Sequence, residues 1–319
     1  MSELETVSLL ASVPLFEGRD ENDLLELARV LRLRKLAQGE VLWARGDHAR
    51  ELLFVVEGEV TVSLPAPGGR MVEIGKAGPG DVLGEIGVLE GGEHTMTVRA
   101  SEPTAVLALS RHDFAALLTR PDPTSFELKR RLAAQFTARL RNQLEQLGRS
   151  MGDGPLVAAR PVAALEPSGP PDSRYLSQLA TFHDFDPVAL WGFLTSGSYA
   201  MCPPGSMLLA EGEPSAACYL TINGAVEKVL IRGYQRVRVG LAGPGKAFGY
   251  ESLIDRGPCP VTAITRERTL LLVLPRDPFE QLYNRNDTIA RLFLEVLLRD
   301  LVATVRLTLR PHARLAASV

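Results

Sequence analysis

Ala77-Gly78-Pro79-Gly80 recurs letter for letter as Ala242-Gly243-Pro244-Gly245, 165 positions further on, and outward from it the chain reads twice. Gly84, Thr97 and Phe114 recur as Gly249, Thr262 and Phe279 at the same offset of 165. Upstream, Gly39, Gly46 and Gly58 recur as Gly205, Gly212 and Gly224, displaced by 166. Glycines at fixed spacing mark backbone that needs φ > 0 or close strand approach, so a set of turns has been duplicated. Two copies of one turn pattern predict two copies of one domain. The spacing far exceeds the roughly 20–50 residues of a solenoid repeat.

The 319 residues suffice for two domains, each with its own core. A hydrophobic fraction of 45% with 23% charged residues is ordinary for soluble globular protein. The net charge of −3 gives no electrostatic footprint for nucleic acid, so no nucleic-acid partner is expected. No apolar run approaches the roughly 18 residues of a membrane helix. The first ten residues carry Glu3 and Glu5 and no basic n-region, so a cytoplasmic protein without a membrane span is expected. Cys202, Cys218 and Cys259 are odd in number and lack ligand spacing. They read as reduced thiols, and no metal is expected.

Within each copy, short β-rich runs come first. Val41 to Trp43, Glu51 to Val56, Val60 to Leu64, Arg70 to Ile74, Val98 to Ala100 and Ala105 to Leu109 are separated by glycine-bearing turns, as an antiparallel barrel or sandwich requires. Met207 to Leu209, Ala217 to Ile222, Val226 to Ile231, Val237 to Leu241, Val261 to Thr265 and Thr269 to Leu274 repeat them. Short helices over 113–118 and 278–283 follow. After the capping signal Asp122-Pro123-Thr124, Leu128, Leu132, Phe136, Leu140 and Leu144 recur every fourth residue. In the second copy Asn286-Asp287 precede Ile289, Phe293, Leu297, Leu301, Val305 and Leu309 at the same spacing, widened by Leu292, Val296 and Val302. That stripe fits packing on its own domain and pairing with a partner helix equally. The expected limits are a first domain over 1–150, a Gly/Pro/Ala linker over 151–174 and a second domain over 175–319.

This series resembles the cyclic nucleotide-binding domain family, found in catabolite activator protein and in protein kinase A regulatory subunits. The residues that carry the resemblance are Gly39-Glu40-Val41-Leu42 through Gly46-Asp47, Phe54 to Gly58 and Pro79 to Gly87, then Pro204-Gly205, Glu211 to Glu213, Tyr219 to Gly224 and Phe248 to Glu251. The resemblance implies an α+β fold: two antiparallel β-barrel (jelly-roll) domains, each with flanking N-terminal and C-terminal helices. It further implies a ligand cassette in which Gly-Glu recognises the ribose 2′-hydroxyl and a later arginine pairs with the cyclic phosphate. Backbone N–H groups of the short cassette helix face the same anion.

The first cassette supplies Gly84, Glu85, Ile86, Gly87, His94 and Thr95, with His94 at the arginine position. The second supplies Gly249, Glu251 and Cys259; Tyr250 stands at the glutamate position, Glu251 one place late, and Cys259 at the arginine position. A guanidinium–phosphate contact is worth about 1.5–3 kcal/mol, so its loss weakens binding roughly 10- to 100-fold. Histidine at position 94 supplies charge only when protonated, and binding through it should strengthen as pH falls. Arg99 and Arg256 are the nearest compensating cations, and solvated surface positions fit both.

Other signals fail. Gly243-Pro244-Gly245-Lys246 lacks the spacer and the Ser/Thr of a phosphate loop. His183-Asp184 with Asp186 aligns with the entry segment around Phe16 and reads as a helix entry rather than a metal cluster. No catalytic constellation recurs in both copies, so no enzyme is expected. The helix over 287–309 is followed by too few residues for a helix-turn-helix, and only about a dozen, none basic, precede Val13-Pro14-Leu15-Phe16. The expected function is therefore a non-enzymatic regulator or adaptor with an unknown protein partner and a possible homodimer through helix 287–309. The alternative is a true receptor for cyclic AMP, cyclic GMP or a cyclic dinucleotide, and no cofactor is fixed by the residues.

Overall fold

The computed structural model describes residues 3–65, 69–152, 165–172 and 176–316. The chain divides into two compact units, residues 1–131 with 316–319, and residues 132–315.

In the first unit, β1 (Arg32–Leu36), β3 (Glu51–Glu57), β6 (Val82–Leu83) and β8 (Thr104–Ser110) form one antiparallel sheet in the order β1-β8-β3-β6. A second sheet has the order β2-β7-β4-β5, from β2 (Val41–Trp43), β4 (Val60–Pro65), β5 (Met71–Ala77) and β7 (Thr97–Ala100). In the second unit the corresponding strands are β10 (Ser198–Cys202), β11 (Met207–Leu209), β12 (Ala217–Asn223), β13 (Val226–Arg232), β14 (Gln235–Ala242), β15 (Ala247–Phe248), β16 (Thr262–Thr265) and β17 (Thr269–Pro275). They repeat both orders as β10-β17-β12-β15 and β11-β16-β13-β14. The first of these gains β9 (Glu166–Ser168), antiparallel to β10. The two sheets of each copy are not joined into one closed barrel by the described pairings.

Register irregularities are duplicated with the strands. The shift between Val55 and Glu57 on β3 recurs between Thr221 and Asn223 on β12, and that between Val41 and Trp43 on β2 recurs between Met207 and Leu209 on β11. Bulges re-aim a strand and are features of a fold rather than accidents, so their repetition extends the sequence repeat into backbone detail.

The duplicated glycines are needed where they stand. Gly58 and Gly224 have φ of +80° and +91°. A Cβ on Gly224 would lie 2.8 Å from the Arg268 carbonyl oxygen, and one on Gly58 would meet the Pro103 carbonyl oxygen in the same way. Gly224→Ala therefore combines left-handed strain with a backbone clash, and should cost about 2 kcal/mol or more. Urea denaturation checks this, and an unchanged midpoint would show that the turn relaxes freely.

Three expectations are corrected. Part of the segment read as linker, Glu166–Ser168, is a strand; residues 153–164 and 173–174 of that segment lie outside the described residues. β1 and β10 were not expected as strands. β1 reads Arg-Leu-Arg-Lys-Leu, an edge strand whose charges suit solvent, and its pairing with β8 holds it in place. The third concerns the C-terminal helix, Thr288–Ala316. Phe293, Leu297, Leu301, Val305 and Leu309 are all buried in the chain itself, so most of the stripe expected to be exposed is covered, while Ile289 and Leu292 are half-buried. Thr308 Oγ1 donates to Gln143 Oε1 at 2.8 Å, tying this helix to the second half of helix Pro123–Ser150.

Candidate functional site

Gly84 (φ +85°) ends β6 and caps the cassette helix Glu85–Glu90, which stops at Gly91 (φ +71°). A Cβ on Gly84 would lie 2.7 Å from the Glu51 carbonyl oxygen, so only glycine lets the cassette approach β3 this closely. Gly87 packs against Ala49 for the same reason. Glu85 and Ile86 are buried, and Thr95 is half-buried.

His94 does not face solvent. It is 7% exposed, and its ring lies parallel to the Trp43 indole, centroids 4.0 Å apart and planes 8° from each other. Both rings come against Gly84, so the structure brings Gly84, His94 and Trp43 together. Burial holds the imidazole below the ordinary histidine value, and Asp47 pulls partly the other way. Protonation at this position is thus opposed by its surroundings, which weighs against the expectation that falling pH supplies the missing charge. The linkage has a definite sign. Neutral His94 contributes its full stability above the ordinary value, and that stability is lost as pH falls below it toward the depressed folded-state value. The loss is at most about 1.4 kcal/mol per pH unit. His94→Phe should flatten the fall in unfolding free energy between pH 7.5 and 5, measured in urea, whereas identical pH profiles would assign the acid sensitivity to other groups.

The second cassette is built alike. Cys259 N donates to Glu213 O at 2.7 Å and Gly212 N to Cys259 O at 3.0 Å; in the first copy His94 N donates to Asp47 O at 2.8 Å and Gly46 N to His94 O at 2.9 Å. The four bonds match residue for residue, so Cys259 and His94 are the same position in the two copies. Gly249 (φ +82°) likewise faces the Ala217 carbonyl oxygen as Gly84 faces that of Glu51. Glu251 opens the helix Glu251–Ile254, the place Glu85 holds in its own helix, despite the one-residue offset in sequence.

What surrounds these positions differs. Cys259 is buried in an apolar cluster with Leu209, Tyr219, Phe248, Ala263 and Leu271, drawn from both sheets of the copy. Burial first, then the nearby Glu251, pushes its thiol up to about 12, with Arg141 acting the other way. Tyr250 is fully buried, and its hydroxyl donates to Asp300 Oδ2 at 2.6 Å. Lys228, also buried, donates to Thr304 Oγ1 at 3.2 Å. Burial raises the Glu251 carboxyl while Lys228 lowers it. Asp300 and Thr304 both come from the C-terminal helix, which thus supplies polar partners to this copy's cassette region. Arg141 holds the cassette loop from outside: Nε and Nη2 each meet Asp255 at 2.9 Å, and Nη1 donates to Pro258 O at 2.7 Å.

Arg99 donates to Gly39 O at 3.0 Å and is committed to that turn. Arg256 is exposed, with a left-handed φ of +56°. Lys246 N donates to Gly243 O at 3.0 Å, closing the turn. Asp186 caps helix Pro187–Leu194 by accepting from Val188 N and Ala189 N, both at 2.8 Å, as the helix-entry reading expects. Among the described residues no His, Cys, Asp and Glu cluster could hold a metal ion, and no helix is long and apolar enough to cross a membrane. Trp43, Arg141 and Asp300 were missed by sequence reasoning, as was the partner of Tyr250. Their roles depend on partners far along the chain, and only the pairing of Trp43 with Leu209 in the repeat hints at one of them.

The family model described as the cyclic nucleotide-binding domain matches residues 33–120 and 201–286. A cyclic nucleotide-gated potassium channel of Mesorhizobium japonicum is 35% identical over 127 residues, 40% of this chain and 34% of the channel. A cyclic AMP receptor protein of Thermus thermophilus is 32% identical over 107 residues, 34% of this chain and 50% of the receptor. The chain thus spans between about a third and a half of the length of these relatives. The regulatory domain of Toxoplasma gondii PKA, crystallised with cAMP, is 20% identical and superposes with a TM-score of 0.35 over 88% of this chain and 91% of that one.

Proposed function

The chain belongs to the cyclic nucleotide-binding domain family, and we propose on that footing that it is a non-enzymatic regulatory module acting through contacts with a protein partner. In this reading the domains are 1–150 and 175–319, each built as the family's jelly-roll barrel, with 151–174 between them contributing β9 to the sheet of β10, in a cytoplasmic protein. The carrying observation is the fate of the phosphate-binding position in both copies. His94 is stacked on Trp43 and disfavours charge, and Cys259 is sealed in an apolar cluster. Neither offers a guanidinium to a cyclic phosphate. In the second copy the cassette region is tied instead to the chain's own C-terminal helix, Tyr250 to Asp300 and Lys228 to Thr304, which supports this reading.

A receptor reading is favoured in the first copy only, by the buried Glu85 at the head of an intact Gly84-Glu85 cassette helix. Glu85, Ile86, Gly87, His94 and Thr95 would line such a site, whereas Gly249, Glu251 and Cys259 would not take a nucleotide. Calorimetric titration of the full chain with cyclic AMP, cyclic GMP and a cyclic dinucleotide separates the two. Binding no tighter than millimolar supports the adaptor. Micromolar binding abolished by Glu85→Gln establishes the receptor, and micromolar binding that survives this change but is lost on altering the second cassette overturns both assignments.

A further inference from the structure

At the far end of the first cassette helix an open cleft of about 660 Å3 is lined by His48, Arg50, Gly91, Gly92, Arg111 and His112 among its residues. Four of these side chains can carry positive charge, and no carboxylate lines the cleft. Among the described residues neither Arg50 nor Arg111 forms an ion pair. The Arg111 guanidinium lies where a Cβ on Gly91 would stand, so the glycine admits it to the cassette end. Arg111 and His112 also open helix Arg111–Thr119, whose Asp113 N–H is capped by the Ser110 hydroxyl at 3.1 Å.

The second copy serves as an internal control. Arg111 N donates to Arg50 O at 2.7 Å, and Arg276 N donates to Ala216 O at 3.1 Å, which makes Arg276 the counterpart of Arg111 and Ala216 that of Arg50. Arg276 is occupied: Nη2 donates to Ser215 O at 3.0 Å, and the side chain pairs with Glu280 at 3.8 Å. Positions matching His48 and His112 hold Pro214 and Asp277. One arrangement has spent its single arginine on its own chain; the other keeps two arginines and two histidines facing open space. Two exposed arginines lining one cleft without a carboxylate leave their charge available to an anion.

We propose that this cleft, at the C-terminal end of the cassette helix, binds a phosphate monoester dianion independently of whether Glu85 and His94 take a nucleotide. Guanidinium forks match phosphate oxygens in pairs, and imidazoles gain charge beside a dianion. The phosphate can arrive on a small metabolite or on a phosphorylated side chain of a partner protein, and the open mouth admits both.

The test is titration of the full chain with inorganic phosphate, O-phosphoserine and a short phosphoserine peptide at low ionic strength. Saturable binding is expected, weakening as salt is raised. Arg50→Ala or Arg111→Ala should each weaken it at least tenfold with unchanged melting temperature, because both side chains are exposed. Arg111→Lys should retain part of the affinity, and Arg50→Glu should abolish it. Tighter binding of the peptide than of O-phosphoserine assigns the site to a protein partner; equal binding assigns it to a small phosphate. Absence of saturable phosphate binding, or binding that both alanine variants leave intact, overturns the proposal.

Discussion

Leu301→Glu should unfold the second copy rather than release a monomer from a dimer. Leu301 is 0% exposed and stands midway along the buried line of the C-terminal helix, with Leu297 and Val305 equally enclosed. A carboxylate there is enclosed away from water and loses the packing of a leucine side chain. Stranding a charge in such a place ranks with the largest single-site effects, at least about 4 kcal/mol. Because Asp300 and Thr304 lie on the same stretch of helix, the disturbance also reaches the partners of Tyr250 and Lys228. Urea denaturation should show loss or a large downward shift of one transition. Sedimentation at concentrations where the wild type is folded decides the alternative: a well-folded variant of lower oligomeric state would restore the helix to an interface.

The turns were legible because glycine at positive φ leaves its mark in the letters themselves. Gly58 and Gly224, Gly84 and Gly249 could be paired by counting, and each pair has the same backbone conformation. The register of the cassettes was legible for the same reason, down to the equivalence of His94 and Cys259. The strands β1 and β9 were not. β1 alternates charge with leucine and β9 centres on Pro167, so neither carries the β-branched signal, and both owe their pairing to a neighbour strand far along the chain. The periodic stripe of the C-terminal helix was read correctly as apolar, but periodicity does not say what covers it. What fills each site was the least legible. His94 stacks on a tryptophan 51 positions earlier, Tyr250 bonds a residue 50 positions later, and Arg141 reaches Asp255 across 114 positions. Such contacts have no local pattern to betray them.

The sharpest contrast between the copies comes from restoring arginine to each. Cys259→Arg should destabilise the second copy by several kcal/mol without creating a nucleotide site. The longer side chain would have to enter the space of Leu209, Tyr219 and Phe248, which overpacks the cluster, and its charge would stand where burial already pushes a thiol up to about 12. Arg141, seated on the Pro258 carbonyl oxygen, adds a like charge at the loop's outer side. His94→Arg is a different change. The imidazole already lies against the Trp43 face, and a guanidinium stacks on indole at little cost, so the fold should tolerate it. With Glu85 in place at the head of the cassette helix, the added cation should raise cyclic AMP affinity about tenfold or more over the wild type. Paired calorimetry and urea denaturation of the two variants give the outcome. Gain of binding in Cys259→Arg, or none in His94→Arg with its fold intact, would mean that the apolar filling of the second copy and the cassette geometry of the first do not control ligand access.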